Sequence, residues 1–364
     1  MQTNRPTVQM QDFFKSEKDI PVGVVTQYKG IHGFRWKKEK YEQRDEMLKH
    51  KITCLRKSAE IHRQVRKYAQ RIARPGIKLV DFCKQIESTL RYIIDADTFK
   101  RGQAFPTGCS LNHVAAHYTP NYGDNTILGE NDVCKLDFGT HIDGYLIDSA
   151  FTIAFNPRYD PLLEAVKAAT EEGVKSAGID VTLREVGENI QEVMESYEVE
   201  LDGKTYPVKA IQNLCGHSID QFRIHAGKSV PIVRGGPETR MEEGEQYAIE
   251  TFGSTGKGKI WEDYECSHYM KDFNAPHVGL RLPMARKLLY EINNNFSTLA
   301  FCRRWLDDLG LENHLLGLKE LVKSRIVKEY PPLVDVKGCY VAQYEHTLML
   351  KPTGKEVFSI GDDY

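Results

Sequence analysis

Cys134 to Phe155 reads CKLDFGTHIDGYLIDSAFTIAF, and the fold turns on how these residues pair. Apolar and β-branched residues flank a turn rich in Gly and Asp (Gly139, Asp143, Gly144), the pattern of a β-hairpin. Each apolar arm carries one aspartate, Asp137 in KLDFG and Asp148 in LIDSAF. A turn centred between Ile142 and Asp143 sets the two directly opposite, on one face, with Cβ atoms about 5 Å apart. Two bare carboxylates there repel each other and are costly to desolvate. A cation between them removes both problems, so the hairpin is expected to be half of a metal site.

The chain around it has 364 residues, 41% hydrophobic and 27% charged, enough for a sizeable core in one large domain or two smaller ones. A net charge of -2 argues against an electrostatic DNA or RNA binder. No apolar run approaches the ~18 residues of a membrane span, so no membrane partner is expected. The opening MQTNRPTVQMQDFF lacks the basic and apolar regions of a secretory signal. The cysteines are scattered with no CxxC pair, as expected of reduced core thiols in a cytoplasmic protein.

Residues 1–34 read as an arm and 35–364 as the main domain. From Arg35 to Arg74 a long helix is expected, with Leu55, Ala59, His62, Val65, Ala69 and Ile72 at three-to-four spacing and RPG at its end. It holds 14 Lys/Arg against 5 Asp/Glu. A solvated face is the first reading of that excess, and docking onto ribosomal RNA through residues such as Lys37, Lys38, Arg63 and Arg66 the second. A helix over 79–96, a short strand and loop over 105–121, and helices near 161–177 and 183–198 follow. GHSIDQFRIHAG (216–227) reads as loop, QYAIETFG (246–253) as a strand, and 282–328 as helical throughout, the core of an inserted subdomain at about 275–330. CYVAQYEHTLML (339–350) is the last strand.

Four acids sit inside β-type apolar runs: Asp137, Asp148, Glu250 in YAIETF and Glu345 in VAQYEHTLML. One alone is read as a hydrogen-bonded or solvent-facing strand acid. Four, with Lys135 as the one base in those runs, point to cations, since unpaired buried charge is strongly disfavoured. Oxygen-rich sites with an imidazole suit Mn, Fe, Co or Zn, and four carboxylates carry enough charge for two ions, a known hydrolytic arrangement. His117, His217, His225 and His268 are the imidazole candidates. GSTGKG (253–258) has the wrong spacing for a phosphate loop, and neither HExxH nor GxSxG occurs.

KLDFGTHIDGYLIDSAFT, AAHYTPN, GHSIDQFRIHAGK, YAIETFGSTGKG, ECSHYM, LAFCRRWLD, YPPL, QYEHT and GDDY resemble, in order, the motifs of the type 2 methionine aminopeptidases, from about residue 12 onward. The helical insertion between Cys266 and Cys339 separates type 2 from type 1. Asp220 replaces the family's glycine after GHSI, and the region before the helix is short beside the mixed-charge extensions of some relatives.

The resemblance implies the α/β pita-bread fold, a curved antiparallel sheet backed by helices. It implies two divalent ions held by Asp137, Asp148, His217, Glu250 and Glu345, with Asp148 and Glu345 shared. It also implies Glu250 as proton shuttle, a free α-amine on one metal, His225 donating to the scissile carbonyl, and His117 at the scissile amide. His117 is, by resemblance, the target of fumagillin-type epoxides. Phe105, Ile224, His268, Tyr330 and Leu333 would line a methionine pocket, and the substrates would be nascent polypeptide N-termini with a small second residue. Two other readings remain: a proline-specific aminopeptidase of the same fold, which usually carries a large extra N-terminal domain, and a non-catalytic relative that binds RNA or protein, in which ligand residues present here would be lost.

Overall fold

Residues 5–311 and 313–364 are described by a computed structural model, so the first four residues of the arm lie outside the described part. The arm contributes a strand, β1 (Val24–Thr26), to the main sheet. The expected long helix is broken into α1 (Glu39–Met47) and α2 (Lys49–Ile72), because Leu48 leaves helical geometry at φ -95°, ψ 3°. On α2 the spaced residues Leu55, Ala59, His62, Val65 and Ala69 are buried as their periodicity predicts. Much of the basic excess is met by acids from elsewhere in the chain. Arg35 and Arg44 pair with Glu243, Arg56 with Glu356, Arg66 with Asp363 and Lys67 with Asp362. Arg66 is fully buried and cannot be a docking residue, whereas Lys37 and Lys38 stay exposed.

After α3 (Leu79–Ile93) comes β2 (Arg101–Leu111), an eleven-residue strand where the sequence suggested a short strand and a loop. Its pairing with β4 (Val133–Ile142) skips between Phe105 and Gly108, around a proline that cannot donate to the ladder. A short β3 (Val114–Ala116) lies between them. β4 and β5 (Tyr145–Ala154) close over Asp143 and Gly144, both at positive φ (50° and 75°). Such a two-residue turn takes Asp-Gly readily. It pairs Ile142 with Tyr145, so Asp137 faces Ala150 and Asp148 faces Gly139. The two aspartates are therefore diagonal, not directly opposite. The register differs from the expected one by two residues, which keeps both side chains on one face.

Helices α4 (Asp160–Ser176) and α5 (Leu183–Met194) follow, then β6 (Cys215–Ile219) and β7 (Ser229–Pro231). His217 thus stands on a strand where a loop was expected. β8 (Gln246–Ser254), β13 (Val341–Leu350) and β14 (Lys355–Val357) complete the main sheet, in order β1-β14-β13-β8-β6-β7 with Lys209–Ala210 beside β8. Between them, β9 (His268–Lys271), α6 (Pro283–Asn295), β10 (Ala300–Cys302), α7 (Arg303–Asp308), α8 (His314–Lys323), β11 (Val327–Tyr330) and β12 (Leu333–Val334) make up most of the remainder.

The insertion is not helical throughout. β9 is flanked by β10 and β11 in a small antiparallel sheet, and the three helices pack with it around a separate apolar cluster that includes Leu288, Ile292, Phe301, Leu318 and Leu321. These strands are too short to show alternation in the sequence. A buried ion pair fastens the unit. Arg304 on α7 meets Glu87 on α3 at 2.6 and 3.1 Å, and Trp305 Nε1 donates to the same carboxylate at 2.9 Å. Arg304 also donates to Thr119 Oγ1 and Pro120 O, both at 3.1 Å, tying the insertion to the loop after His117.

Candidate metal centre and its pocket

The four strand acids converge at the floor of one cavity because two sheets meet there. The β2-β4-β5 sheet and the main sheet join along β5 and β13, and side-chain hydroxyls there bind main-chain groups of the opposite strand. Thr347 Oγ1 accepts from Asp148 N at 2.9 Å and donates to Asp148 O at 2.6 Å. Ser149 Oγ donates to Glu345 O, and Thr152 Oγ1 to Gln343 O, each at 2.8 Å. This seam sets Asp148 beside Glu345. Within the main sheet, Glu250 and Glu345 are directly opposed in the β8–β13 register. The direct opposition expected of the hairpin aspartates occurs in this second pair. β6 pairs His217 with Ala248, one diagonal step from Glu250 on the same face. Gly216 permits that approach, since a Cβ there would lie 2.4 Å from Ala248 O.

Asp148, His217 and Glu345 each aim a ligand atom into a common space, mutually within 4.8 Å. His217 Nε2 is 3.5 Å from Asp148 and 3.7 Å from Glu250. Burial pushes the His217 pKa down to about 4, so the ring is neutral and its nitrogen lone pair is available. All four carboxylates are held well above their usual range. For Asp148, raised to about 7, burial is the chief cause. Burial comes first for the others too, followed by the charge of neighbouring carboxylates. Both Glu345 oxygens and Asp137 Oδ1 are buried without a hydrogen-bond partner. Gln343 Nε2 donates to Asp137 at 3.1 Å and to Glu250 at 3.4 Å, which is little compensation for four acids. Orphaned, crowded carboxylate oxygens beside a neutral imidazole fit divalent cations.

Above the acids the cavity is lined by Phe105, His117, Ile224, His225, His268 and Tyr330, all expected. Leu333 is not part of that wall. It pairs with Ala116 on β3 and packs on the main core. The Phe105 ring lies on Gly139, where a Cβ would come within 2.3 Å of it. His117, at φ 67°, contacts Pro331 O through Nδ1 at 3.3 Å, and its own carbonyl lies 3.3 Å from His268 Nδ1. His225 stands edge-on to His217 with ring centroids 4.4 Å apart. Burial lowers the pKa of His117 to about 4 and of His225 and His268 to about 3, so all three rings are neutral at pH 7. Gln343, Phe252 and Met270 also line the cavity, and nothing in the sequence had singled them out. Each lies two residues along a strand from a recognised residue (Glu345, Glu250, His268), so strand alternation could have found them.

Residues 53–281 match the model of metallopeptidase family M24. The chain is 56% identical over 363 residues to methionine aminopeptidase 2A of Arabidopsis thaliana, covering 100% of this chain and 82% of that protein. It is 55% identical to methionine aminopeptidase 2 of Schizosaccharomyces pombe, covering 100% and 85%. Among solved structures, a thermophilic Arx1 superposes with a TM-score of 0.71 at 21% identity, over 84% of this chain and 90% of that one, which speaks to the fold alone. The chain belongs to metallopeptidase family M24, in its type 2 methionine aminopeptidase branch, and has the pita-bread fold.

Proposed function

We propose that the chain removes the N-terminal methionine from nascent polypeptides and peptides with a small second residue, as a metal-dependent exopeptidase of the cytoplasm. The observation that carries this is the convergence of Asp137, Asp148, His217, Glu250 and Glu345 at the floor of a single apolar cavity. These five would hold two divalent ions, cobalt, manganese, iron or zinc, which when bound supply Lewis acidity and a water of lowered pKa. Asp137, Asp148, Glu250 and Glu345 would offer carboxylate oxygens to them and His217 an imidazole nitrogen.

The chain's own residues do the rest. Glu250 takes the proton of the attacking water at its carboxylate and passes it to the amine that departs as the first peptide bond breaks. His225, neutral, donates to the scissile carbonyl oxygen as negative charge grows there. His117 holds the scissile amide. With its Nδ1 proton given to Pro331 O, its Nε2 lone pair is a nucleophile, which suits alkylation by an epoxide of the fumagillin type. Phe105, Ile224, His268 and Tyr330 clasp the methionine side chain, an aromatic and aliphatic wall that suits a thioether. Residues from about 275 to 330 form the insertion within a catalytic domain of 35–364, and Ala300 and Tyr330 from it reach that wall. Ribosome contact is the finer partner reading, resting on the exposed Lys37 and Lys38. Among the described residues no helix is long and apolar enough to cross a membrane.

Hydrolysis of Met-Ala-Ser against an Ala-Pro peptide tests the assignment. Release of methionine from the first and inertness of the second is expected. Preference for the proline peptide would favour the proline-specific reading, and inertness toward both would favour a binding protein.

A further inference from the structure

We propose that His50, Cys54 and Asp143 form a second metal site, outside the cavity, selective for a zinc-class divalent ion. His50 and Cys54 lie four residues apart on α2, on one face of the helix. Asp143 comes from the tight turn of the β4–β5 hairpin. His50 Nε2 is 3.3 Å from Asp143 Oδ2, Cys54 Sγ is 3.8 Å from His50 Nε2, and Cys54 Sγ is 3.9 Å from Asp143 Oδ2. Bonds of about 2.3 Å to sulfur and about 2.0–2.1 Å to nitrogen and oxygen at tetrahedral angles would give edges of about 3.6 Å for S···N and S···O and about 3.4 Å for N···O. The three observed separations are close to one face of that tetrahedron.

The donors are also held in place. Asp143 N donates to Lys100 O, and Asp143 O accepts from Gln221 Nε2 at 2.7 Å, so the turn is pinned at both main-chain groups. The His50 ring rests edge-on to Tyr145, centroids 5.8 Å apart. Cys54 is buried at its base, while the side chains of His50 and Asp143 are 70% and 43% exposed, which leaves the fourth vertex to solvent. Burial, with a further push from Asp143 against a smaller pull from Lys57, raises the Cys54 thiol to about 12, so it is protonated at pH 7. Binding breaks the S–H bond and releases that proton to solvent as the sulfur–metal bond forms. A dication with one thiolate, one carboxylate and a neutral imidazole is uncharged overall. Thiolate and imidazole together favour zinc or cobalt and reject magnesium and calcium. The ion would staple α2 to the turn of the hairpin that carries Asp137 and Asp148.

Titrating cobalt(II) into the chelator-stripped full chain, and following sulfur-to-cobalt charge-transfer absorption, reads this site apart from the sulfur-free donor set of the cavity. The band should reach the intensity of one thiolate-bound cobalt per chain, over and above the cobalt taken by the cavity, and be displaced by zinc but not by magnesium. It should vanish in Cys54→Ser, persist in Cys215→Ser, and require at least tenfold more cobalt in His50→Ala and Asp143→Asn. Cys54→Ser should still cleave Met-Ala-Ser normally, showing that it folds. Absence of the band, its survival in Cys54→Ser, or unchanged affinity in His50→Ala and Asp143→Asn would overturn the proposal.

Discussion

Glu345 has two buried oxygens without a partner, and Asp148 stays protonated up to about pH 7 without a metal. Such groups persist where something else stabilises them. Asp148→Ala and His217→Ala should each lose manganese binding and turnover together, read by elemental analysis alongside peptide hydrolysis. Full metal content in both variants would refute their place among the ligands. His225→Ala should keep its metals and lose about 10²–10³ in kcat, the scale of one lost oxyanion donor. A near-normal kcat would remove His225 from the mechanism. These residues were legible in the sequence because an acid inside an apolar strand calls for a counter-charge, and because long ordered motifs tie the histidines to them. Gln343, Phe252 and Met270 were not, since an amide, a phenyl or a thioether in a strand is ordinary. Leu333 shows the reverse: a residue drawn in by resemblance that packs against the main core and is not among the residues lining the cavity.

At the scale of elements, register decides which donors meet. The hairpin was legible, but its pairing was not, because alternation fixes which face a residue takes and leaves even-numbered slips open. The Asp143–Gly144 turn selects one of them. Nothing local predicts the β5–β13 seam, which consists of hydroxyls from Ser149, Thr152 and Thr347 reaching across to backbone far along the chain. Gly139 marks how closely the elements pack. Gly139→Ala would push the Phe105 ring out of the cavity wall, at about 1–3 kcal/mol in stability. KM for methionine peptides should rise while metal content holds, and an unchanged KM would show that the ring is not part of the side-chain pocket. The Glu87–Arg304 pair is fully buried, so Arg304→Leu leaves a charge alone in the core. A loss of about 3–5 kcal/mol in urea unfolding is expected, and a loss below about 1 kcal/mol would show that the pair does not secure the insertion.

For the molecule as a whole, the fold closes by returning residues 361–364 to the strands behind Asp148 and Glu345. Tyr364 Oη contacts Ser149 Oγ at 2.8 Å, Ala150 O at 2.6 Å and Glu345 O at 3.1 Å, under the guanidinium of Arg66. Asp363 clamps Arg66 through both oxygens, at 2.6 and 2.7 Å. Burial works against its charged form, but Arg66 prevails and holds the carboxyl at about 2. Its folded pKa lies below the unfolded value of about 3.9, so its stabilisation is complete above about pH 4 and is lost as pH falls toward 2. Asp363→Asn should therefore cost roughly 2 kcal/mol at pH 7 and progressively less below pH 4. A deficit that stays constant down to pH 2 would contradict this clamp. Such long-range closures, like the acids that neutralise the basic helix face, were invisible in the sequence because they join residues hundreds of positions apart. The overall architecture was legible only through the motifs, which carry that long-range information together.

The central claim is that these five donors hold two ions that serve methionine removal. It is tested most directly by the rate of methionine release from Met-Ala-Ser as manganese is added to chelator-stripped protein. No release without metal, and a rise that saturates at two manganese ions per chain, is the predicted result. Release that survives complete stripping, or none at any metal loading, would contradict it.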